Sequence, residues 1–271
     1  MAGIGFELNK LAGRDNLLDV IRAFAYTAFA AVGPWVYTIF VLVAITLMAS
    51  TEELATGIVD FRTIIIYNFS VSLVIAAPIF MLATRVLSDA IHEHNVTAVP
   101  AALYRSMFVT SLLIVPIAFL WYVTDFYQFD LATKIMSFAN LFLIGMIWVV
   151  AVFLLALKDY MAVSKAFLIG HFLAFIIIWL SPKEGGAAWL LGAFNVGLAT
   201  IICLLVGRVW AEYPYKFDHS FRLMPYVKQY WPLALGGFFY NFAIWVDKWI
   251  MWYAPESVQL ASEMRIFPAY D

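Results

Sequence analysis

The residues best able to do chemistry in this chain are four asparagines that fall inside long apolar stretches: Asn68, Asn140, Asn195 and Asn241. A primary amide both donates and accepts hydrogen bonds, and its burial in hydrocarbon is costly unless it is paired. Such amides either hydrogen-bond between helices or line a polar cavity. In a cavity they would suit a ligand rich in hydroxyl groups, such as a sugar.

An adjacent acid and base, Asp247 and Lys248, lie in the last apolar stretch. An ionisable residue within a membrane span is a functional candidate. Successive helix positions lie about 100° apart, so the two side chains do not face each other. Lys248 shares a helix face with Asn241, and Asp247 shares one with Tyr240. These four residues, with the three earlier asparagines, form the candidate substrate path.

A second interpretation of the acid–base pair is structural. Tryptophans surround it at the outer end of the stretch, among them Trp245 and Trp249. Aromatic residues collect at membrane interfaces, and a lysine there extends its ammonium group toward water. The pattern alone leaves both interpretations open.

Prolines interrupt three of the apolar stretches and define the candidate hinges: Gly33 with Pro34, then Pro78 and Pro116. Each proline removes a backbone donor and bends its helix. Such kinks serve either as hinges for alternating access or as static features of shape, since proline is common in membrane helices.

Enzymatic and metal chemistry are not indicated. His92 and His94 are two positions apart and would point away from each other on a helix, whereas zinc-binding histidines of a helix are four apart. No serine–histidine–aspartate set and no glycine-rich phosphate loop is visible. We predict no catalytic residue, no metal site, no cofactor and no enzymatic activity.

The composition predicts a membrane protein. The 271 residues are 65% hydrophobic and 13% charged, whereas soluble domains are nearer half apolar and a quarter charged. No basic stripe indicates nucleic-acid binding. Apolar stretches of about 20 residues predict transmembrane helices. We expect an all-α, polytopic bundle of about seven spans at Phe24–Ala49, Ile64–Ala83, Met107–Val123, Ile135–Leu157, Ala162–Leu180, Ala187–Val206 and Pro232–Tyr253.

The loops predict an orientation. Most of their Lys and Arg residues fall on one side of the bundle, which includes the N-terminus and the long basic loop before the seventh span. By the positive-inside rule, the N-terminus is cytoplasmic.

Several specific runs resemble one family, the Pel exopolysaccharide exporters of the bacterial inner membrane. They are Met1–Leu8, Gly33-Pro34-Trp35, Gly236–Asn241 with Ile244–Lys248, and Arg265–Asp271. The family is similar to the multidrug/oligosaccharidyl-lipid/polysaccharide flippase superfamily. That resemblance implies two lobes of helices around a cavity that opens alternately to the two membrane faces.

The resemblance also implies a function and an organisation. It implies export of a partly deacetylated, N-acetylgalactosamine-rich polymer, with other Pel inner-membrane proteins and a cytoplasmic glycosyltransferase as partners. We expect residues 1–206 to form an N-terminal cytoplasmic segment and a six-helix first lobe. Residues 207–231 would be a basic cytoplasmic linker, and residues 232–271 would hold the seventh helix at the start of a truncated second lobe.

Other functions remain open at this point. A lipid-linked oligosaccharide flippase or a cation-coupled drug exporter would share the superfamily, although the first six spans lack the buried carboxylate usual in the latter. A non-conducting membrane scaffold of a polysaccharide synthase complex belongs to another class. An intramembrane enzyme is least favoured, since no nucleophile and base stand together.

Overall fold

A computed structural model describes residues 17–48, 52–95, 97–124, 126–156, 159–180, 186–214 and 221–269. This described part contains seven α-helices: α1 (Leu17–Met48), α2 (Glu52–His92), α3 (Ala98–Ala118), α4 (Leu131–Ala156), α5 (Tyr160–Trp179), α6 (Gly186–Glu212) and α7 (Met224–Met251). A π-helical turn, Phe119–Val123, continues α3. After α7, the short strands β1 (Val258–Gln259) and β2 (Arg265–Ile266) pair antiparallel.

Five of these helices are long and apolar enough to cross a membrane: α2, α3 with its π-helical turn, α4, α5 and α6. In α1, the apolar stretch so identified is shorter, Val32–Met48. The prediction of an all-α polytopic bundle is confirmed. Helix α7 is not among the five, because Asn241, Asp247 and Lys248 lower its mean hydropathy. Its crossing of the membrane stays a prediction.

The helices are longer than several of the predicted spans. Helix α2 covers 41 residues, whereas the apolar pattern delimited only Ile64–Ala83. The predicted spans are short because only apolar residues are counted. The helices continue into charged flanking segments, where oppositely charged side chains pair along one helix face. Arg85 and Asp89, four positions apart, form such an ion pair at 3.0 Å.

Helix α4 lies at the centre of the bundle. It packs against α2, α3 and α6, while α5 packs on α6 and α1 packs on α5. Helix α7 packs along α2. The core therefore runs through α2, α4 and α6, and these are the helices that carry Asn68, Asn140 and Asn195.

Acidic side chains cap the N-termini of α4 and α5. The Asp130 carboxylate accepts hydrogen bonds from the hydroxyl and the backbone N–H of Thr133, and so caps α4. The hydroxyl hydrogen bond is the main cause of a lowered Asp130 pKa. Asp159 caps α5 through the N–H of Ala162 and pairs with Arg208 of α6 at 2.7 Å. These caps set where α4 and α5 start.

Helices α5 and α6 meet backbone to backbone at two glycines. A Cβ atom on Gly170 would lie 2.5 Å from the carbonyl oxygen of Gly197, and one on Gly197 would lie 2.5 Å from that of Gly170. The Ala174 Cβ atom would lie 2.9 Å from a Cβ atom on Gly197. Small residues allow this approach, as they do at many membrane helix interfaces.

We expect Gly197→Ala to destabilise the protein, because the new methyl group would meet backbone that cannot move aside. The free energy of unfolding should fall by about 1–3 kcal/mol. Gly207→Ala, in the same helix, is the matched control, since nothing lies within 4 Å of its Cβ position and alanine favours helix. Thermal unfolding in detergent measures both; equal shifts would contradict the close contact.

Candidate functional site

Three of the predicted site residues form one buried network across the centre of the bundle. The Asn68 amide nitrogen donates to the Asn140 side-chain oxygen at 2.9 Å. The Asn140 amide nitrogen donates to the Asn195 side-chain oxygen at 2.8 Å. Asn68 and Asn140 are completely buried and Asn195 is nearly so. Side chains from α2, α4 and α6 are thereby joined.

The network is closed at both ends by groups of the protein. The Tyr122 hydroxyl donates to the Asn68 side-chain oxygen at 2.7 Å, and the Asn195 amide donates to the Met136 carbonyl at 2.8 Å. Asn68 also donates to the Ser137 carbonyl at 3.2 Å. Each side chain donates to the next in the order Tyr122, Asn68, Asn140 and Asn195. This is the arrangement that the interhelical interpretation predicts; contact of these amides with substrate stays a prediction.

Tyr122 reaches the network from the π-helical turn. It is completely buried, and in a π-helix each turn holds an extra residue, which changes the direction of the following side chains. The Thr124 N–H closes the turn on the Phe119 carbonyl at 3.2 Å. Sequence reasoning missed Tyr122, since an aromatic residue near the end of an apolar stretch is usual at a membrane interface.

The remaining polar candidates lie on α7, where the Asn241 and Asp247 side chains hydrogen-bond to backbone groups of α7 itself. The Asn241 amide is buried and donates to the Gly237 carbonyl of its own helix at 2.9 Å. Tyr240 is exposed. The exposed Asp247 carboxylate accepts from the backbone N–H of Lys248 at 2.7 Å. The candidate path therefore falls into two parts. The core group is Asn68, Asn140 and Asn195, and the α7 group is Tyr240, Asn241, Asp247 and Lys248.

Helix α7 is joined to α2 by a close contact and by a hydrogen bond. A Cβ atom on Gly237 would lie 3.2 Å from the Ala77 carbonyl and closer to Met81. Nearer its C-terminus, the Trp249 indole N–H donates to the Ser70 hydroxyl at 3.2 Å. Buried positions are few along α7, so most of its surface remains uncovered.

The candidate hinge prolines lie within helices that continue through them: Pro34 in α1, Pro78 in α2 and Pro116 in α3. A Cβ atom on Gly33 would meet the Ser164 hydroxyl of α5, so close helix packing accounts for this glycine. A hinge motion at Gly33 or at these prolines stays a prediction.

A clearer break lies in α7. Tyr230 has non-helical angles, φ −114° and ψ 22°, two residues before Pro232. Sequence reasoning missed this kink by starting the seventh span at the proline. The signal was present, because a proline disturbs the preceding turn of helix.

An aromatic cluster lies next to the amide network, toward the N-terminal end of α2, which the predicted orientation places outside. The rings of Tyr67 and Trp252 are stacked, with centroids 3.7 Å apart and planes within 8°. Trp121 and Tyr127 lie edge-on to Tyr67 at 6.4 and 6.3 Å. Burial is the main cause of a raised pKa of Tyr127.

Hydrogen bonds of side chains and backbone attach the segment after α7 to this cluster and to residues beside it. The Tyr67 hydroxyl donates to the Arg265 carbonyl at 2.8 Å and accepts from the Arg265 N–H at 3.2 Å. The Ser262 carbonyl accepts from the Gln128 N–H at 3.1 Å, and its hydroxyl donates to Asp60 at 3.0 Å. Sequence reasoning missed these contacts, since no local pattern connects residues so far apart.

Long apolar helices with polar side chains paired in their interior define a multi-pass helical membrane protein. No group of three or more His, Cys, Asp or Glu residues able to hold a metal ion occurs in the described parts of the chain.

Within that class, the chain belongs to the PelG family, described as "Putative exopolysaccharide Exporter (EPS-E)", which matches residues 1–271. The resemblance of the sequence to this family is thereby confirmed, and membership indicates exopolysaccharide export. No curated protein and no solved structure matches it. The family is one of exporters; the lack of enzymatic activity stays a prediction.

We expect Asn140→Leu to destabilise the bundle, because it leaves the Asn68 donor and the Asn195 acceptor without their shared partner. Hydrogen bonds between membrane helices contribute roughly 0.5–2 kcal/mol each, so a loss of about 1–2 kcal/mol should appear in thermal unfolding. Thr200→Val is the control, because the Thr200 hydroxyl donates to the Val196 carbonyl of its own helix. Equal stability of both variants would contradict a network that joins helices.

Proposed function

We propose that this chain is a flippase-like transporter subunit that moves exopolysaccharide across the bacterial inner membrane. The observation that carries the proposal is the contrast between a core joined by buried amides and α7, which contacts the bundle mainly along α2 and leaves most of its surface uncovered. Alternating access requires bodies that keep their shape while they move against each other. The buried amides join α2, α4 and α6 into one such body.

Helix α7 has the features expected at the boundary with a second lobe. It contacts the bundle along α2, with Gly237 and Asn241 buried, and it is kinked at Tyr230. Large exposed side chains cover the rest of it: Trp231, Leu235, Phe239, Tyr240 and Ile250. This supports residues 1–206 as a first lobe and residues 232–271 as the beginning of a second.

The basic segment 207–231 would connect the two lobes on the cytoplasmic side. Arg208 is held by Asp159 and Glu212, while Arg222 and Lys228 are exposed; Lys216 lies outside the described residues. Exposed basic groups at a cytoplasmic face attract anionic lipid headgroups. The same face would receive the glycosyltransferase and the other Pel membrane proteins.

The α7 candidates are tested by secretion. We expect Asn241→Leu to reduce secreted polysaccharide about tenfold at unchanged protein level, because it removes the buried amide beside the α2 contact; such a loss corresponds to about 1.4 kcal/mol. Asp247→Ala tests the exposed carboxylate of the same helix. Cys203→Ala, at an exposed position of α6, is the control and should secrete normally. Normal secretion by both α7 variants would contradict their place on the substrate path.

Reconstitution separates the transporter from its alternatives. Purified protein, with its Pel partners, is placed in liposomes, and entry of fluorescently labelled polysaccharide fragments is measured. Passage of polymer fragments supports the proposal. Passage of only lipid-linked oligosaccharide supports the flippase alternative, and passage of neither supports the scaffold.

A further inference from the structure

Two recesses open on the face where the loop between α3 and α4 meets the segment after α7. The first has a volume of about 350 Å³, and its walls include Tyr67, Tyr127, Tyr253, Glu263 and Arg265. The second has a volume of about 200 Å³, and its walls include Arg62, Tyr67, Trp252, Ile266 and Pro268. Neither belongs to the amide network or to the α7 group.

The two recesses are neighbours. Tyr67 lines both of them, and its ring is stacked on Trp252 of the second. The successive residues Arg265 and Ile266 of β2 line one recess each. A linear ligand that crosses β2 would therefore occupy both, with the stacked rings between its two halves.

The side chains in these walls suit a carbohydrate. A sugar ring has an apolar face of C–H groups that packs on an aromatic ring, and a rim of hydroxyls that needs polar partners; pockets for small ligands combine these surfaces. The first recess offers the Tyr253 ring, with the Arg265 guanidinium 5.5 Å from its centroid, beside the Glu263 carboxylate. The recess thus offers both a charged donor and a charged acceptor to the hydroxyl groups of a ligand, and hydrogen bonds to such groups are strong.

The turn that carries Glu263 supports a functional use of its carboxylate. Glu263 has a φ of +67°, a region that favours glycine. The turn is held by the Leu260 N–H donating to the Met264 carbonyl at 2.8 Å, and the Gln259 amide donates to the Glu263 carboxylate. Unfavourable backbone of this kind collects at binding sites.

We propose that the two recesses bind a hexose-based oligosaccharide segment of the exported polymer on the outer face of the membrane. The inference rests on the proposed export function and on the orientation that the basic loops predict. The exposed Tyr253 ring provides the stacking surface, the buried Tyr67–Trp252 pair forms the wall between the recesses, and Glu263 and Arg265 bind hydroxyl groups. The site holds the chain after it has left the transport path.

Binding is tested on the purified full chain in detergent micelles. The probe is a size-fractionated oligosaccharide mixture from acid hydrolysis of the secreted polysaccharide, titrated by calorimetry. We expect Tyr253→Ala and Glu263→Gly each to raise Kd about tenfold, equivalent to about 1.4 kcal/mol. Tyr253 is 76% exposed, and glycine suits the Glu263 backbone, so neither variant should lower the unfolding temperature.

Trp179→Ala is the matched control. Trp179 is an exposed aromatic residue at the end of α5 that lines neither recess, so the Kd should not change. Failure of the wild-type chain to bind, or unchanged binding by both recess variants, would overturn the site. Weaker binding by the recess variants but not by the control supports it.

The liposome assay separates failure of this site from failure of the proposed function. Transport by a chain that binds no oligosaccharide overturns the site and leaves the transporter intact. If the wild-type chain binds oligosaccharide and the recess variants do not, but no polymer enters the liposomes, the result supports the site and counts against the transporter.

Discussion

A buried amide in the membrane is costly unless it finds a partner inside the protein, and the arrangement of the central helices depends on this constraint. A buried amide without a partner costs several kcal/mol in an apolar medium, about as much as a large part of a domain's stability. The side chains of Asn68, Asn140 and Asn195 satisfy one another. Their pairing sets the rotation and the height of α2, α4 and α6 relative to each other.

Other contacts follow from that arrangement. With α6 held against α4, α5 can approach α6 only where Gly170 and Gly197 leave room. Helix α7 attaches to the core through α2. The core is joined by three buried amides, whereas α7 contacts the bundle mainly along α2 and leaves most of its surface uncovered. An exporter with two lobes would use this difference when one body moves against the other.

Tyr122 connects the core to the outer aromatic cluster. Its hydroxyl donates to Asn68, while its ring lies 6.2 Å from Tyr127 and 6.3 Å from Trp121. The polar network and the aromatic cluster are therefore continuous through one side chain. Polymer held by the cluster would rest against the part of the bundle whose geometry the amides determine.

The amino-acid sequence by itself determined the class of protein, the approximate helices and the family, because these follow from composition, from the length of apolar stretches and from local runs of residues. Only the tertiary structure decided the partners. Asn68 and Asn140 are 72 positions apart, and Tyr67 meets Arg265 across 198. Apolar stretches predict that helices form but not which of them become neighbours, since lipid and protein interior are equally apolar. Pairing of a few polar and aromatic groups makes that choice.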